Sequence, residues 1–291
     1  MTISIGHSKG FQNAVDLLTV RRDGTERYVG ASAKTPWQRL YGGQIIGQAI
    51  MAAANSLSDR WRPSALHLNF LQPGSPKEDV TYQVTPLKKG KTLSVIRVDA
   101  TQLRGLIATA TVSFHTGDGG GFDSQQLVPE MPSRIAMAKQ DLLSFAPLAI
   151  QRYWLPDPPL ELVPVSVDRY RTGKAQKADQ SYWLRFKGEI DPEADVPAIH
   201  CALIAYASDM TLLDTALAAH GQTIFSDSIS GSSLDHAMWF HRAIRTGEWY
   251  LYIQDAPSAA NGRAFTRGRF YTEAGTLVCS VSQEGIIRPR S

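Results

Sequence analysis

The sequence predicts an α+β fold made of two similar halves. Two observations support this prediction. In each half an apolar helical segment precedes a run of β-rich segments, and the order and spacing of these segments recur along the chain. Recurrence of a whole supersecondary unit at a fixed distance is the pattern of an internal duplication. We therefore expect two tandem units, each a long helix wrapped by an antiparallel β-sheet.

The composition is that of an ordinary globular protein. The 291 residues include 43% hydrophobic and 20% charged side chains, which is enough for a large buried core. The 30 Lys and Arg residues exceed the 27 Asp and Glu residues by three. This small positive charge suits an anionic small molecule but falls short of a nucleic-acid-binding surface.

Targeting and metal signals are absent from the sequence. The two cysteines have neither the spacing of metal ligands nor the number of a disulfide framework. No signal peptide is readable, and no apolar run reaches the length of a membrane span. We expect a cytoplasmic protein with no membrane span, no metal and no organic cofactor.

The first unit is predicted over residues 1–117. A short helix is expected at 9–18, a strand at 26–30 and a long helix from Gln44, where the apolar residues recur at the spacing of a helix face. Four β-rich segments separated by glycine and proline turns follow. These segments are 66–71, 80–85, 93–101 and 106–114.

Residues 118–165 are predicted to be an interdomain linker. A glycine-rich break opens this stretch and prolines recur along it, with one helical piece expected at about 133–143. A connection of this length is uncommon inside a compact domain. The second unit is therefore predicted over residues 166–291.

The second unit repeats the pattern of the first. A strand is expected at 182–188, and an apolar helical pattern follows it. The residues of this pattern lie 167 positions after their counterparts in the first long helix; they are Leu212, Leu213, Ala216 and Leu217. His236 follows His67 by 169 positions, and three further β-rich segments complete the unit.

Three polar residues of the second unit are candidates for chemistry. At the offset of 167, Asp209 corresponds to Gly42, and Gln283 corresponds to Ser113 or Phe114, so the second unit gains a carboxylate and a carboxamide. Ser233 adds a hydroxyl. Each also has a structural interpretation: Asp209 as a helix N-cap, Ser233 as a loop residue and Gln283 as a solvated amide.

Several motifs resemble a known family. They are residues 41–49, 70–74, 233–242, 270–272 and 281–285. These motifs are similar to those of the acyl-CoA thioesterase II (TesB-like) family, and they span nearly the whole chain apart from the linker. The resemblance implies a double-hotdog fold and hydrolysis of fatty acyl-CoA by a water held by Asp209, Ser233 and Gln283. The best-known members have threonine where this chain has Ser233.

Further residues are assigned roles on this basis. The start of the long helix at Gly42, Gly43 and Gln44 is predicted to offer backbone N–H groups to the oxyanion, because helix N-termini present unpaired donors. Residues that could meet the phosphates of coenzyme A are Arg242, Arg267 and Lys91. Sheet edges and apolar strand faces favour a homodimer or homotetramer.

Two other functions stay open at this point. A hotdog hydratase or dehydratase would use an Asp/His pair, and Asp235 with His236 is a candidate for it. A non-catalytic acyl-CoA-binding module would bind the same ligand without turnover. The absence of a nucleophilic serine motif favours direct hydrolysis over an acyl-enzyme.

Overall fold

The computed structural model describes residues 9–33, 38–117, 120–126, 131–133, 158–188, 190–191, 195–224 and 226–290. The helical piece predicted at 133–143 lies almost entirely outside these residues, as does most of the predicted linker.

The strands form one antiparallel sheet that runs through both units. The first unit contributes β1 (Val20–Arg22), β2 (Arg27–Gly30), β3 (Arg62–Phe70), β4 (Val80–Lys89), β5 (Leu93–Gln102) and β6 (Gly105–His115). The second contributes β7 (Leu160–Pro164), β8 (Asp179–Phe186), β9 (Ile229–Ser233), β10 (Asp235–Phe240), β11 (Tyr250–Ala260), β12 (Arg263–Thr272) and β13 (Leu277–Pro289). Their spatial order is β1-β2-β4-β5-β6-β3-β10-β13-β12-β11-β8-β7, and β9 also pairs with β13.

The helices lie against the sheet. They are α1 (Lys9–Leu18), α2 (Gly42–Ala54), α3 (Asp168–Thr172) and α4 (Pro197–Ser208), and a 3₁₀ helix follows at Leu213–His220. Nearly every residue of α2 and α4 is buried, because each helix has the sheet on one side and the other helix beside it. Each unit therefore has one long helix covered by sheet, as the sequence predicted.

The long helices α2 and α4 approach each other closely and run in opposite directions. A Cβ atom added to Gly43 would lie 2.4 Å from the carbonyl oxygen of Tyr206, and one added to Gly47 would lie 3.0 Å from that of Ala202. Glycine at these two positions therefore lets the backbones meet. The N-terminus of α2 thus lies beside the C-terminus of α4.

The position predicted for the second long helix was wrong. The helix that packs on α2 is α4, whereas Leu213, Ala216 and Leu217 belong to the 3₁₀ helix that follows it. Both segments are apolar and buried, so an apolar pattern of helical spacing could not distinguish between them. Asp209 consequently caps the C-terminus of α4 instead of the N-terminus of a later helix.

Strands β3 and β10 join the two halves of the sheet, and their register corrects the predicted offset. Leu66 pairs with Met238, and Leu68 pairs with His236; all four side chains are buried. His67 is exposed on the other face. If buried positions of β3 are matched to buried positions of β10, Leu66 of the first unit corresponds to His236 of the second, an even offset of 170 (236 − 66). The odd offset of 169 matches an exposed residue, His67, to a buried one, so His67 and His236 are not equivalent.

The boundary predicted between linker and second unit also needs correction. Residues 160–164 form β7, which pairs with β8 at the edge of the sheet. They therefore belong to the second unit. Part of the preceding segment also contacts this unit, since the Trp183 indole N–H donates to the carbonyl oxygen of Pro132 over 3.1 Å.

One helical run in the described part of the chain, Pro197–His220, is long and apolar enough to cross a membrane by length and composition. Its most apolar window is 83% buried inside the protein, as is typical of a core helix. The absence of a membrane span stays a prediction.

We predict that Ile50→Ala lowers the free energy of unfolding by about 2–5 kcal/mol, because it leaves a cavity in the core. Ile50 lies on α2 and is fully buried in the core that both units share. Urea denaturation followed by circular dichroism measures the change. Leu103→Ala is the control, since this leucine is 91% exposed and its loss should cost less than about 0.5 kcal/mol. Equal effects of the two changes would contradict the shared core.

Candidate active site

Three elements of the second unit and one of the first bring polar groups to one place. Asp209 caps α4, Ser233 ends β9, and Gln283 lies in the middle of β13. Gly43 lies in the first turn of α2. Because α2 and α4 are antiparallel, the carboxylate of Asp209 meets the N-terminus of α2. The pairing of β9 with β13 brings Ser233 next to Gln283.

The side chains of Asp209, Ser233 and Gln283 form one hydrogen-bonded cluster. The Gln283 Nε2 donates to Asp209 Oδ1 over 2.8 Å and to Ser233 Oγ over 2.6 Å. Ser233 Oγ donates to Asp209 Oδ1 over 3.4 Å, and the Gly43 N–H donates to Asp209 Oδ2 over 2.9 Å. The three residues singled out in the sequence are thus brought together.

The carboxyl group of Asp209 is a weaker acid than an ordinary aspartate. Burial raises its pKa to about 6, and the hydrogen bonds from Gln283, Gly43 and Ser233 oppose this rise. The residue as a whole is only partly buried, and the raised pKa reflects the burial of its carboxyl group. A carboxylate with a pKa near the operating pH is suited to take up a proton during a reaction.

The start of α2 is fitted to this carboxylate. A Cβ atom added to Gly42 would lie 2.6 Å from Asp209 Oδ2 and 3.0 Å from Cζ of Phe70. Of the three predicted oxyanion donors, the Gly43 N–H is bonded to Asp209 and the Gln44 N–H to the carbonyl oxygen of Tyr41, over 3.1 Å. The role of these N–H groups toward an oxyanion stays a prediction.

A buried polar network that the sequence analysis missed holds the segment after Asp209. The Gln254 Nε2 donates to Thr211 Oγ1 over 2.5 Å, and the Gln180 Nε2 donates to the carbonyl oxygen of Thr211 over 2.8 Å. Two glutamines on neighbouring strands thereby fix the backbone two residues beyond the carboxylate. The one signal in the sequence was Gln254 itself, a polar residue at the end of an apolar strand.

An ion pair extends this network. Arg169 of α3 and Asp214 of the 3₁₀ helix form a salt bridge of 2.7 Å with both side chains almost fully buried. Asp214 also accepts hydrogen bonds from the Thr223 hydroxyl and the Ile224 N–H. These contacts pair the two buried charges, apart from Arg169 Nε, which has no hydrogen-bond partner among the described residues, and they hold the loop that leads to Ser233.

Asp235 and His236, the alternative pair, point in opposite directions. They are consecutive residues of β10, and consecutive strand residues face opposite sides of a sheet. Asp235 Oδ1 accepts the Glu284 N–H over 2.7 Å, whereas His236 Nε2 lies 2.9 Å from Ser208 Oγ in the core. Burial lowers the pKa of His236 to about 3. The two residues are therefore placed for structural roles.

The basic residues predicted to meet phosphates are not gathered at Asp209. Arg267 forms a salt bridge with Asp255, and Arg242 forms one with Asp123. Lys91 lies in the turn between β4 and β5. Their assignment to coenzyme A stays a prediction. Within the described residues, no group of three or more His, Cys, Asp or Glu side chains could hold a metal ion.

Family models match both units of the chain. The model described as acyl-CoA thioesterase matches residues 157–286, and the one described as acyl-CoA thioesterase N-terminal domain matches residues 33–115. Among curated proteins, the chain is similar to acyl-coenzyme A thioesterase 8 of Homo sapiens. The two are 33% identical over 264 residues, which cover 87% of this chain and 82% of the human protein.

Solved structures share the fold. A crystal structure of an acyl-CoA thioesterase II, TesB2, from Mycobacterium marinum superimposes with a TM-score of 0.78 at 30% identity, covering 96% of this chain and 99% of that one. A protein of unknown function with a hot dog fold from Alicyclobacillus acidocaldarius gives a TM-score of 0.73 at 15% identity. This match covers 96% of this chain and 99% of that one. The fold is thus a double hotdog.

We predict that Asp209 titrates near pH 6 and that Gln283→Leu moves its pKa further upward, because the substitution removes a hydrogen bond that stabilises the carboxylate. Carbon-13 NMR of the aspartate carboxyl groups measures both values. Gln12→Leu, which changes a half-buried glutamine of α1 outside the cluster, is the control and should leave the pKa unchanged. An Asp209 pKa near 4 in the wild-type protein would contradict this account of the site.

Proposed function

We propose, for a chain that belongs to the acyl-CoA thioesterase II (TesB-like) family and is a thioester hydrolase, a direct attack of water on the thioester carbon. The water would be held by Asp209, Ser233 and Gln283. The observation that carries this proposal is the convergence of the Gln283 amide on the other two side chains, with donor–acceptor distances of 2.6 and 2.8 Å.

In the proposed step Asp209 is the general base. It is mostly ionised at neutral pH, because its pKa of about 6 lies below 7. The water oxygen forms a bond to the carbonyl carbon while its proton passes to Asp209. The carbon–sulfur bond then breaks, and the proton passes on to the leaving thiolate. The products are a fatty acid and free coenzyme A.

Ser233 and Gln283 would orient the water. Both hydrogens of the Gln283 amide are engaged by Asp209 and Ser233, which fixes the hydroxyl and the carboxylate relative to each other. Ser233 Oγ keeps a lone pair that can accept a second hydrogen from the water. Gln283 Oε1 is buried and has no hydrogen-bond partner among the described residues, so it is the alternative acceptor for this second hydrogen, since an unsatisfied buried acceptor is costly.

For the developing oxyanion we propose the N-terminus of α2. The helix begins at Gly42, and its N-terminal end carries partial positive charge. The Gly43 N–H donates to Asp209 and the Gln44 N–H to the carbonyl oxygen of Tyr41, so the N–H of Gly42 is the donor proposed for the oxyanion. The absence of a side chain at Gly42 keeps this N–H group beside the Asp209 carboxylate, because an added Cβ atom would lie 2.6 Å from Oδ2.

The preferred substrate is proposed to be a medium- to long-chain fatty acyl-CoA. Several apolar side chains lie beside the site. They are partly buried and pack on the core, and they are Leu40, Tyr41, Phe70 and Met210. Such side chains offer apolar surface to a fatty chain, and the free energy of transfer grows with each buried methylene, by about 0.8 kcal/mol.

We also propose a cytoplasmic homodimer or homotetramer.

We predict that Asp209→Asn lowers kcat by about 10²–10⁴-fold, the usual contribution of a positioned general base. Release of free thiol from a series of saturated acyl-CoAs measures the rate and gives the chain-length preference in the same experiment. A loss of less than a few-fold would reduce Asp209 to a helix cap.

The matched control is Asp235→Asn. It makes the same chemical change on β10, the strand that pairs with β13. The asparagine oxygen can still accept the Glu284 N–H. This variant should keep kcat within a few-fold of wild type. Enoyl-CoA hydration that depended on Asp235 would instead support the hydratase alternative. Ligand binding without thiol release from any acyl-CoA would support a binding module.

We predict that Gly42→Ala lowers kcat at least about tenfold, the effect of about 1.4 kcal/mol on a barrier, without loss of folding. The added methyl group would lie 2.6 Å from Asp209 Oδ2 and would displace the carboxylate. Alanine is the better helix residue, but its methyl group would also crowd Phe70 at 3.0 Å, so the melting temperature is measured beside kcat to verify that the variant is folded. An unchanged kcat at an unchanged melting temperature would show that the carboxylate position is not critical.

A further inference from the structure

A cavity of about 410 Å³ lies at the opposite end of β3 and β10 from Asp209. It is lined by the first residues of β3, by the end of β6, by the segment after β10 and by the first turn of α4. Arg62, at the start of β3, lines the cavity, whereas Phe70, at its end, lies beside Gly42. Nine residues of strand separate the two places by about 25 Å.

The cavity occupies the counterpart of the catalytic site in the duplicated fold. In the second unit Ser233 pairs with Gly285 of β13, and in the first unit Pro63 pairs with Phe114 of β6 at the same place in the sheet. The residue two positions before Gly285 is Gln283, and the residue two positions before Phe114 is Val112. Both side chains are fully buried, which confirms that they face the same way.

This counterpart lacks two of the polar groups that converge at Asp209. Proline replaces the hydroxyl of Ser233, and valine replaces the amide of Gln283. The long helix of the second unit begins at Pro197, which has no N–H, where the first begins with Gly42 and Gly43. The arrangement proposed to activate water at Asp209 is therefore absent at this end.

The walls of the cavity have become basic instead. Arg62, Arg242 and Arg245 line it, together with a single carboxylate, that of Asp195. Asp195 accepts a hydrogen bond from His200 over 2.7 Å, and Arg242 is paired with Asp123. Arg62 and Arg245 are exposed, and neither forms a salt bridge with a carboxylate in the described part of the chain.

The helix that begins at the cavity adds to its positive potential. The 12-residue α4 starts at Pro197 with no side-chain cap, and Pro197, His200 and Cys201 line the cavity. The N-terminus of a helix carries partial positive charge and favours anions. Two guanidinium groups that form no salt bridge with the described residues and this helix end therefore act on the same space.

We propose that this cavity is a second, non-hydrolytic ligand site that binds the phosphate groups of a small phosphorylated molecule. Guanidinium groups bind phosphate oxygens with charge-assisted, often bidentate hydrogen bonds. The volume is that of an ordinary small-molecule site. The phosphates belong either to a free inorganic or nucleotide ligand or to coenzyme A released by the reaction.

The test is calorimetric titration of the full chain with pyrophosphate and, separately, with free coenzyme A. The variant combines Arg62→Gln with Arg245→Gln, and Arg104→Gln is the charge-matched control, an exposed arginine in the turn between β5 and β6. Wild type and control should bind pyrophosphate alike, and the double variant at least about tenfold more weakly. Unchanged melting temperatures verify that all three proteins are folded.

Kinetics separate this site from the catalytic one. The KM for acyl-CoA should change less than twofold in the double variant, because its arginines lie remote from Asp209. Two bound coenzyme A molecules in wild type and one in the double variant would identify coenzyme A as the occupant. If wild type and the double variant each bind one coenzyme A molecule, and the double variant alone loses pyrophosphate binding, the occupant is a different phosphorylated ligand. Absence of pyrophosphate binding, binding that the double variant leaves intact, or a tenfold rise in KM would overturn the proposal.

Discussion

The close antiparallel packing of α2 against α4 is the constraint on which the rest of the structure depends. It is possible because Gly43 and Gly47 present no side chain to the carbonyl oxygens of the opposing helix. Without this contact the carboxylate of Asp209, at the end of α4, could not accept the N–H of Gly43, at the start of α2. The proposed general base is supplied by one unit and its helix-end partner by the other, so neither unit contains the whole cluster.

The same packing explains why Asp209 can remain buried and still ionise. Removal from water opposes the charge, whereas the amide of Gln283, the N–H of Gly43 and the hydroxyl of Ser233 stabilise it. The balance leaves the pKa near 6 instead of far higher. The glutamines that hold Thr211 prevent the segment beyond Asp209 from relaxing away from these donors. Reactivity here is therefore a property of the surrounding donors as much as of the carboxylate.

Much of the fold and of the site could be predicted from the sequence, for identifiable reasons. The apolar periodicity around Ile45 and Ile50 and the turns between β-rich segments are local signals. They located α2 and the strands of the first unit, apart from the short β1, which was missed. Asp209, Ser233 and Gln283 were found because they belong to motifs that the chain shares with its family, and because two of them differ from their expected counterparts.

The errors arose where two structures satisfy the same pattern. Apolar residues continue from α4 into the 3₁₀ helix, so spacing alone placed the second long helix one segment too late. A histidine in each half suggested an offset of 169. Only the burial of Leu66 and Met238 shows which residues of the two strands face the core. The glutamine network around Thr211 could not be foreseen either, since its members come from three elements distant in sequence.

Joining two hotdog units in one polypeptide has a consequence for how such proteins diversify. When two identical subunits pair, a substitution enters both ends at once, and any change that harms catalysis harms it twice. In the fused chain, Pro63 and Val112 could replace a hydroxyl and an amide at one end while Ser233 and Gln283 were kept at the other. Covalent linkage thus frees half of an inherited active site to be selected for a separate purpose.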